Sequence, residues 1–199
     1  MIAGILLAAG ASRRMRGRDK LLEDVGGKPM LSYMVGIAEA SQLDSLHVVL
    51  PPEAFAPARH KLVEAMPKVV AQDCKDGMSA SLRAGMMAVP PEAEGVMVLL
   101  ADMPEIQTEH INQLIAQFQP NRIVRAVTED GISGHPVLFA KTYFADLAAL
   151  TGDVGAKTIL RLAQDQIVDV TISGQAATLD LDTPEDWAHW RAKTSRQEF

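Results

Sequence analysis

A cluster of cations follows the first apolar run of the chain, and small residues separate the two. The small residues extend from Ala8 to Ser12, and the stretch from Arg13 to Lys20 holds five cations and one aspartate, a local charge of +4. Small residues let backbone amides approach a ligand closely, and cationic side chains bind oxyanions. Because the whole chain carries a formal charge of −6, this basic spot predicts a site for a small anionic ligand such as a phosphate.

The spacing of glycines around this loop excludes two common nucleotide-binding motifs. A P-loop needs a glycine at a fixed distance before Gly27-Lys28 and a hydroxyl residue in place of Pro29, and a dinucleotide fingerprint needs further glycines two and five positions after Gly10. Neither motif is present. Nucleic-acid binding normally uses an extended basic face, which this acidic composition does not offer. Charge alone is also compatible with a surface loop whose arginines are solvated and bind no ligand.

Two aspartates, Asp102 and Asp182, follow apolar runs later in the chain. Ligands of open parallel sheets bind beyond the carboxyl ends of the strands, so we expect both beside the cationic loop. Two carboxylates are a sparse ligand set of the kind Mg²⁺ uses when substrate phosphates and waters complete its octahedron. Alternatively, Asp102 only forms a turn and Asp182 only precedes a helix cap. Asp180 lies on the same side of a strand as Asp182, so either aspartate is a candidate second ligand.

Strand-like runs alternate with segments of helical length along the chain, which predicts an α/β fold with three α/β/α layers and a mostly parallel sheet. The predicted strands are 2–8, 46–50, 68–71, 95–100, 122–127, 137–139, 167–170 and 177–181. The predicted helices are 30–40, 53–65 with a break at Pro57, 79–89, 108–118, 141–149, one ending near Ala163 and one beginning at Thr183. Their predicted N-caps include Ser79, Thr108 and Thr183, and 129–136 is predicted to be a loop.

Bulk composition indicates an ordinary globular protein. The 199 residues, 48% of them hydrophobic and 22% charged, suit a single domain over 1–199. The apolar start from Ile2 to Ala9 lacks a preceding positive region and is too short to span a bilayer, so we expect a buried strand and no membrane association. Cys74 is the sole cysteine, which favours the cytoplasm and an inert thiol.

Six motifs resemble the nucleotidyltransferase family that includes molybdenum cofactor cytidylyltransferase. They are Leu7-Ala8-Ala9-Gly10-x-Ser12-x-Arg14-Met15 with Lys20, Gly77-Met78-Ser79-x-Ser81-Leu82, Leu100-Ala101-Asp102-Met103-Pro104, Gly134-His135-Pro136, Gly152-Asp153-x-Gly155-Ala156 and Asp180-x-Asp182-Thr183-Pro184-Glu185-Asp186. The resemblance implies a Rossmann-like nucleotidyltransferase fold. It also implies Mg²⁺-dependent transfer of a nucleoside monophosphate to a phosphorylated acceptor. In the most similar relatives the donor is CTP and the acceptor is the pterin compound molybdopterin, and pyrophosphate is released.

The same resemblance implies a role for each matching residue. Arg14, Lys20 and Asp102 are catalytic: Arg14 and Lys20 hold the triphosphate, and Asp102 shares Mg²⁺ with Asp182. The nucleotide-binding residues are Ala8, Ala9, Gly10, Ser12, Arg14, Lys20, Gly77, Ser79 and Ser81. The acceptor-binding residues are His135 and Asp153, although without the family a turn and a helix cap account for them equally well.

One departure from the family pattern, one indication of the donor and several alternatives accompany this resemblance. Guanylyl-transferring relatives usually have glycine where this chain has Ala9, which favours CTP. The loop reaches Lys20 one residue later than in relatives, so Arg16 or Arg18 are candidates to share its role. Another donor nucleotide, a sugar phosphate acceptor, or a non-catalytic carrier serving a molybdoenzyme or its chaperone remain alternatives. A redox role is disfavoured by the missing dinucleotide fingerprint.

Overall fold

Strands and helices alternate through the computed structural model, which describes residues 1–152 and 155–194. The strands are β1 Ile2–Leu7, β2 Asp24–Val25, β3 Lys28–Pro29, β4 Ser45–Leu50, β5 Lys68–Val70, β6 Gly95–Leu100, β7 Ile123–Val127, β8 Ser133–Ala140 and β9 Ile167–Thr171. The α-helices are α1 Met30–Glu39, α2 Pro57–Leu62, α3 Met78–Met86, α4 Thr108–Ala116, α5 Phe144–Ala148, α6 Lys157–Leu162 and α7 Pro184–Thr194. Pro57 opens α2, as the predicted break there requires.

Seven strands form one sheet in the order β5-β4-β1-β6-β8-β7-β9. β8 runs antiparallel to both of its neighbours, and the other paired strands of this sheet are parallel. Leu7 lies beside Leu100 in the register of β1 and β6, so the chain leaves both strands at the same edge. Within the sheet, the chain continues from β1 to β4 and from β6 to β7, which lie on opposite sides of the β1–β6 pair in the strand order. This edge is therefore the switch point where open α/β sheets bind ligands.

Helices cover both faces of the sheet. Leu6 of β1 packs into a core with α1, α4 and α7, whereas Ile5 and Leu7 pack into a second core with α3, α5 and α6. The predicted three-layer α/β/α fold with a mostly parallel sheet is confirmed. Central strands buried on both faces must be apolar throughout, which explains their continuous hydrophobic sequences. Over residues 1–152 and 155–194, none of the helices has the length and apolar character that crossing a bilayer requires.

Two predictions about strands are wrong. The stretch 129–136 is not wholly a loop, because β8 begins at Ser133, which lies opposite Val127. A turn closed by the Gly131 amide and the Thr128 carbonyl, 2.9 Å apart, joins the two strands. The stretch 177–181 is not a strand. It begins in a turn and is held by two separate bonds, from the His135 amide of β8 to the Ala177 carbonyl at 2.8 Å and from the Leu181 amide to the Asp102 carbonyl at 3.1 Å.

Two of the three predicted helix caps are also wrong. Gly77, at φ 95°, occupies the cap position of α3, and the Ser79 hydroxyl donates to the Thr151 carbonyl at 3.3 Å. Gln107, and not Thr108, occupies the cap position of α4. The Thr108 hydroxyl does not cap the helix and donates to the Ile37 carbonyl. The third prediction is confirmed at α7, where Thr183 and Asp186 exchange the reciprocal bonds of a capping box.

Candidate active site

The loop after β1 bends back on itself to bring its two ends together. The Ala8 amide still bonds the Val49 carbonyl at 2.8 Å, as in the sheet. Beyond it, Ser12 and Arg16 adopt left-handed conformations with φ 47° and 53°, and Gly17 has φ 88°. These positive angles let the chain reverse within few residues, which costs little at glycine and more at the other two positions. The reversal returns the chain to the sheet edge at Lys20.

A cavity of about 720 Å³ lies between this loop, the ends of β1 and β6, and the start of α3. Six of the predicted nucleotide-binding residues line it: Ala8, Ala9, Gly10, Lys20, Gly77 and Ser81. Asp102, Asp180 and Asp182 also line it. Its volume falls within the range of pockets that hold small molecules.

Three carboxylates meet on one side of the cavity. Asp102, Asp180 and Asp182 each offer an oxygen, and these three oxygens lie within 4.8 Å of one another. The bond from the Leu181 amide to the Asp102 carbonyl holds the two later aspartates beside the end of β6. Burial and the neighbouring carboxylates of Asp102 and Asp182 raise the pKa of Asp180 above its ordinary value. The arrangement concentrates negative charge where a cation would relieve the repulsion.

Lys20 supplies one such cation. Its buried ammonium contacts the Asp102 carboxylate and lies 2.5 Å from Oδ1 of Asp182. Burial lowers the pKa of Lys20, but the attraction of Asp102 and Asp182 outweighs it, so the pKa lies above its ordinary value. Lys20 is therefore a fixed positive charge at neutral pH.

The arginines of the loop separate into paired and unpaired side chains. Arg14 pairs with Asp182 at 2.6 Å, Arg16 with Glu185 at 2.6 Å and Arg18 with Glu23 at 3.2 Å. Arg14 is also 73% exposed, where an ion pair contributes little to stability. Arg13 lines the cavity, and no carboxylate within residues 1–152 and 155–194 pairs with it. The sequence does not single out Arg13, because it is one of several arginines in the same short stretch.

Three other predicted site residues, Ser12, Ser79 and His135, do not line this cavity. The Ser12 hydroxyl is bound inside the loop, to Asp19 and the Lys20 amide, and Ser79 is fully buried. Burial lowers the pKa of His135, while the Asp102 charge opposes that effect. Within the described part of the chain the buried Nδ1 of His135 has no hydrogen-bond partner. Asp153 lies outside the described residues, next to Gly152, which lines the cavity.

Several known proteins are similar to this chain over nearly its whole length. Purine catabolism protein PucB of Bacillus subtilis is 31% identical over 94% of each chain. Nicotine blue oxidoreductase of Paenarthrobacter nicotinovorans is 28% identical over 92% of this chain and 93% of its own. The crystal structure of Rv0371c from Mycobacterium tuberculosis superposes with a TM-score of 0.84 at 28% identity, covering 95% of this chain and 97% of the other.

The family described as the MobA-like NTP transferase domain matches residues 4–169. That range includes the loop after β1, the cavity-lining start of α3 and Asp102, and it ends before Asp180 and Asp182. The chain therefore belongs to the MobA-like NTP transferase family and is a nucleotidyltransferase with a Rossmann-like α/β/α fold.

Proposed function

We propose that this chain transfers CMP from CTP to molybdopterin in an Mg²⁺-dependent reaction that releases pyrophosphate. The observation that carries the proposal is the meeting of a small-residue loop, a buried lysine and three carboxylates in one cavity. The motif resemblance supports molybdopterin as acceptor, and Ala9 favours CTP as donor.

The carboxylate cluster fits a divalent metal ion. Asp102 and Asp182, with Asp180 beside them, offer the oxygen ligands that Mg²⁺ prefers. The Lys20 ammonium lies against two of these aspartates, which supports the proposal that the cluster attracts cations. When bound there, Mg²⁺ would polarise the α-phosphate and neutralise charge on the pyrophosphate. Rv0371c has also been solved in complex with manganese, at a TM-score of 0.78 and 28% identity.

The residues of the chain position the reactants and compensate their charge. An oxygen of the acceptor phosphate attacks the α-phosphorus, the bond to the bridging oxygen breaks, and negative charge grows on the departing pyrophosphate. Lys20 would stabilise that growing charge, whereas Arg13 would bind the triphosphate equally in the ground state and the transition state, and the backbone of Ala9 and Gly10 borders the same cavity. Gly77 and Ser81 border the space for the nucleoside. A general base is not required, because an acceptor phosphate is already ionised near neutral pH.

The donor is tested by thermal unfolding with each of the four nucleoside triphosphates and Mg²⁺. CTP is expected to raise the unfolding temperature most, since a ligand bound only by the native state stabilises it. Pyrophosphate release from CTP in the presence of molybdopterin tests the reaction. Tight molybdopterin binding without pyrophosphate from any donor would indicate a carrier instead.

The metal site is tested with Asp102→Asn, which keeps the shape of the side chain and removes its charge. We expect pyrophosphate release to fall by about 100-fold or more, as when one transition-state contact is removed. Asp169→Asn is the control, because Asp169 pairs with Arg125 on the outer strands. Full activity of Asp102→Asn would contradict the metal site.

A further inference from the structure

Arg59, on α2, is almost completely buried beneath the loop that follows β1, with 3% of its surface exposed. Its Nε donates to Asp19 Oδ2 at 2.7 Å, and its Nη1 donates to the carbonyls of Ala8 and Gly10 at 2.6 and 2.8 Å. Its Nη2 donates to Ser12 Oγ at 3.1 Å and to Asp19 Oδ1 at 2.6 Å. These five bonds use every N–H of the guanidinium.

The five partners belong to the two ends of one loop. The five acceptor atoms belong to four residues: Ala8, Gly10 and Ser12 lie at the start of the loop, and Asp19, which supplies two oxygens, lies at its end, immediately before Lys20. Asp19 also accepts a bond from the Leu21 amide at 3.0 Å, which begins the short helical turn that carries Lys20. One side chain therefore connects the cavity-lining backbone to the turn that directs the lysine.

We propose that Arg59 is a positioning residue that sets the conformation of the loop that follows β1 and the reach of Lys20. It acts through the loop, since all of its donors are used by atoms of the loop and Arg59 itself does not line the cavity. The catalytic consequence rests on the proposed nucleotidyl transfer. The conformational consequence does not, because it concerns hydrogen bonds within the chain.

Lysine cannot replace this arginine. An ammonium has three donors on one atom, whereas the planar guanidinium spreads five donors over a fork that matches a carboxylate and two carbonyls at once. Arg59→Lys keeps the charge opposite Asp19 and loses contacts to Ala8 and Gly10. This variant therefore tests the loss of the positioning contacts while the charge of Asp19 stays compensated.

The main test is the double variant Arg59→Met/Asp19→Asn. Removing the arginine alone leaves the Asp19 carboxylate without its cationic partner, and this uncompensated charge destabilises the fold whether or not Arg59 positions the loop. The double variant removes both charges and restores neutrality. Arg125→Met/Asp169→Asn is the matched control, because that pair is also a fork, with bonds of 2.9 and 3.1 Å, on strands β7 and β9.

Amide hydrogen exchange of residues 10–22 measures the loop directly, and nucleotide kinetics measure its effect. We expect the double variant to unfold near the wild-type temperature, to exchange these amides faster, and to lose about 100-fold in kcat/KM for the nucleotide. The control pair is expected to change neither the amide exchange of residues 10–22 nor kcat/KM. Arg59→Lys is expected to show faster loop exchange as well, and it serves if the double variant does not fold.

Two results would overturn the proposal. One is wild-type exchange of residues 10–22 in both Arg59 variants. The other is a double variant that has both the kcat/KM and the unfolding temperature of the wild-type protein, because the Arg59 contacts would then not be needed to position the loop. If the wild-type protein turns over no nucleotide, the proposed function fails, and the exchange measurement still decides the role of Arg59.

Discussion

Replacing Gly134 by alanine is expected to disturb the carboxylate cluster indirectly. A Cβ placed on Gly134 lies 1.8 Å from the carbonyl oxygen of Ala177 and 2.5 Å from its carbonyl carbon. Both are backbone atoms, so the Ala177 segment must retreat by roughly 1.5 Å to restore ordinary contact. The His135 amide holds this segment by a 2.8 Å bond to the same carbonyl. The segment leads directly to Asp180 and Asp182, so they should move away from the end of β6.

Two magnitudes follow for Gly134→Ala. Overpacking of this kind lowers the free energy of unfolding by about 2 kcal/mol, which urea unfolding measures. A displacement on the order of 1 Å at the cluster should lower kcat/KM by about 100-fold, which pyrophosphate release measures. A Mn²⁺ titration should show weaker binding for the same reason.

Gly36→Ala is the matched control for this substitution. Gly36 is exposed on α1, and a Cβ there meets nothing within 4 Å. Alanine is the better helix former, so this variant should gain up to about 1 kcal/mol and keep its activity. An unchanged urea midpoint in Gly134→Ala would refute the reasoning, because the clash would then be relieved without cost.

Two further predictions concern the charges around the cavity. Arg13→Ala should raise KM for the nucleotide about tenfold with kcat nearly unchanged, as expected for uniform binding. Arg16→Ala, whose side chain already pairs with Glu185, should change KM less than about twofold, and equal effects would contradict the role of Arg13. Because the pKa of Asp180 is raised in the native state, its ionisation costs stability as pH rises above the ordinary value of 3.8. Asp180→Asn should therefore stabilise the metal-free protein by about 0.5 kcal/mol at neutral pH and by less at pH values below 3.8. Urea unfolding at the two pH values measures this difference, and an equal gain at both would count against it.

Much of the architecture could be predicted because it depends on local patterns. Runs such as Gly95–Leu100 are apolar throughout since both faces of their strands are covered, and the structure has that strand with the same bounds. The wrong predictions lie where pairing depends on distant partners. Gly134-His135-Pro136 resembles a loop by composition, yet β7 pairs with Ser133 before it and with Val137 after it, and it belongs to β8.

The site was predictable to a similar extent. Motif positions indicated the loop, Lys20, Asp102 and Asp182, and the structure brings the last three into direct contact. Asp180 remained an alternative in the sequence and lies in the same cluster. The longer loop before Lys20 was the least predictable feature, since its path depends on the buried side chain of Arg59.

The sequence by itself determined the alternation of strands and helices, the nucleotidyltransferase family, and the presence of a basic loop with acidic partners. These properties depend on the types of residues that lie near one another in the sequence. Only the tertiary structure decided which cations face the cavity, because Arg16 is engaged by Glu185, 169 positions away. It also decided that Arg59, 40 positions beyond Asp19, holds the loop. Ion pairs and hydrogen bonds depend on distances between side chains, and folding alone sets those distances.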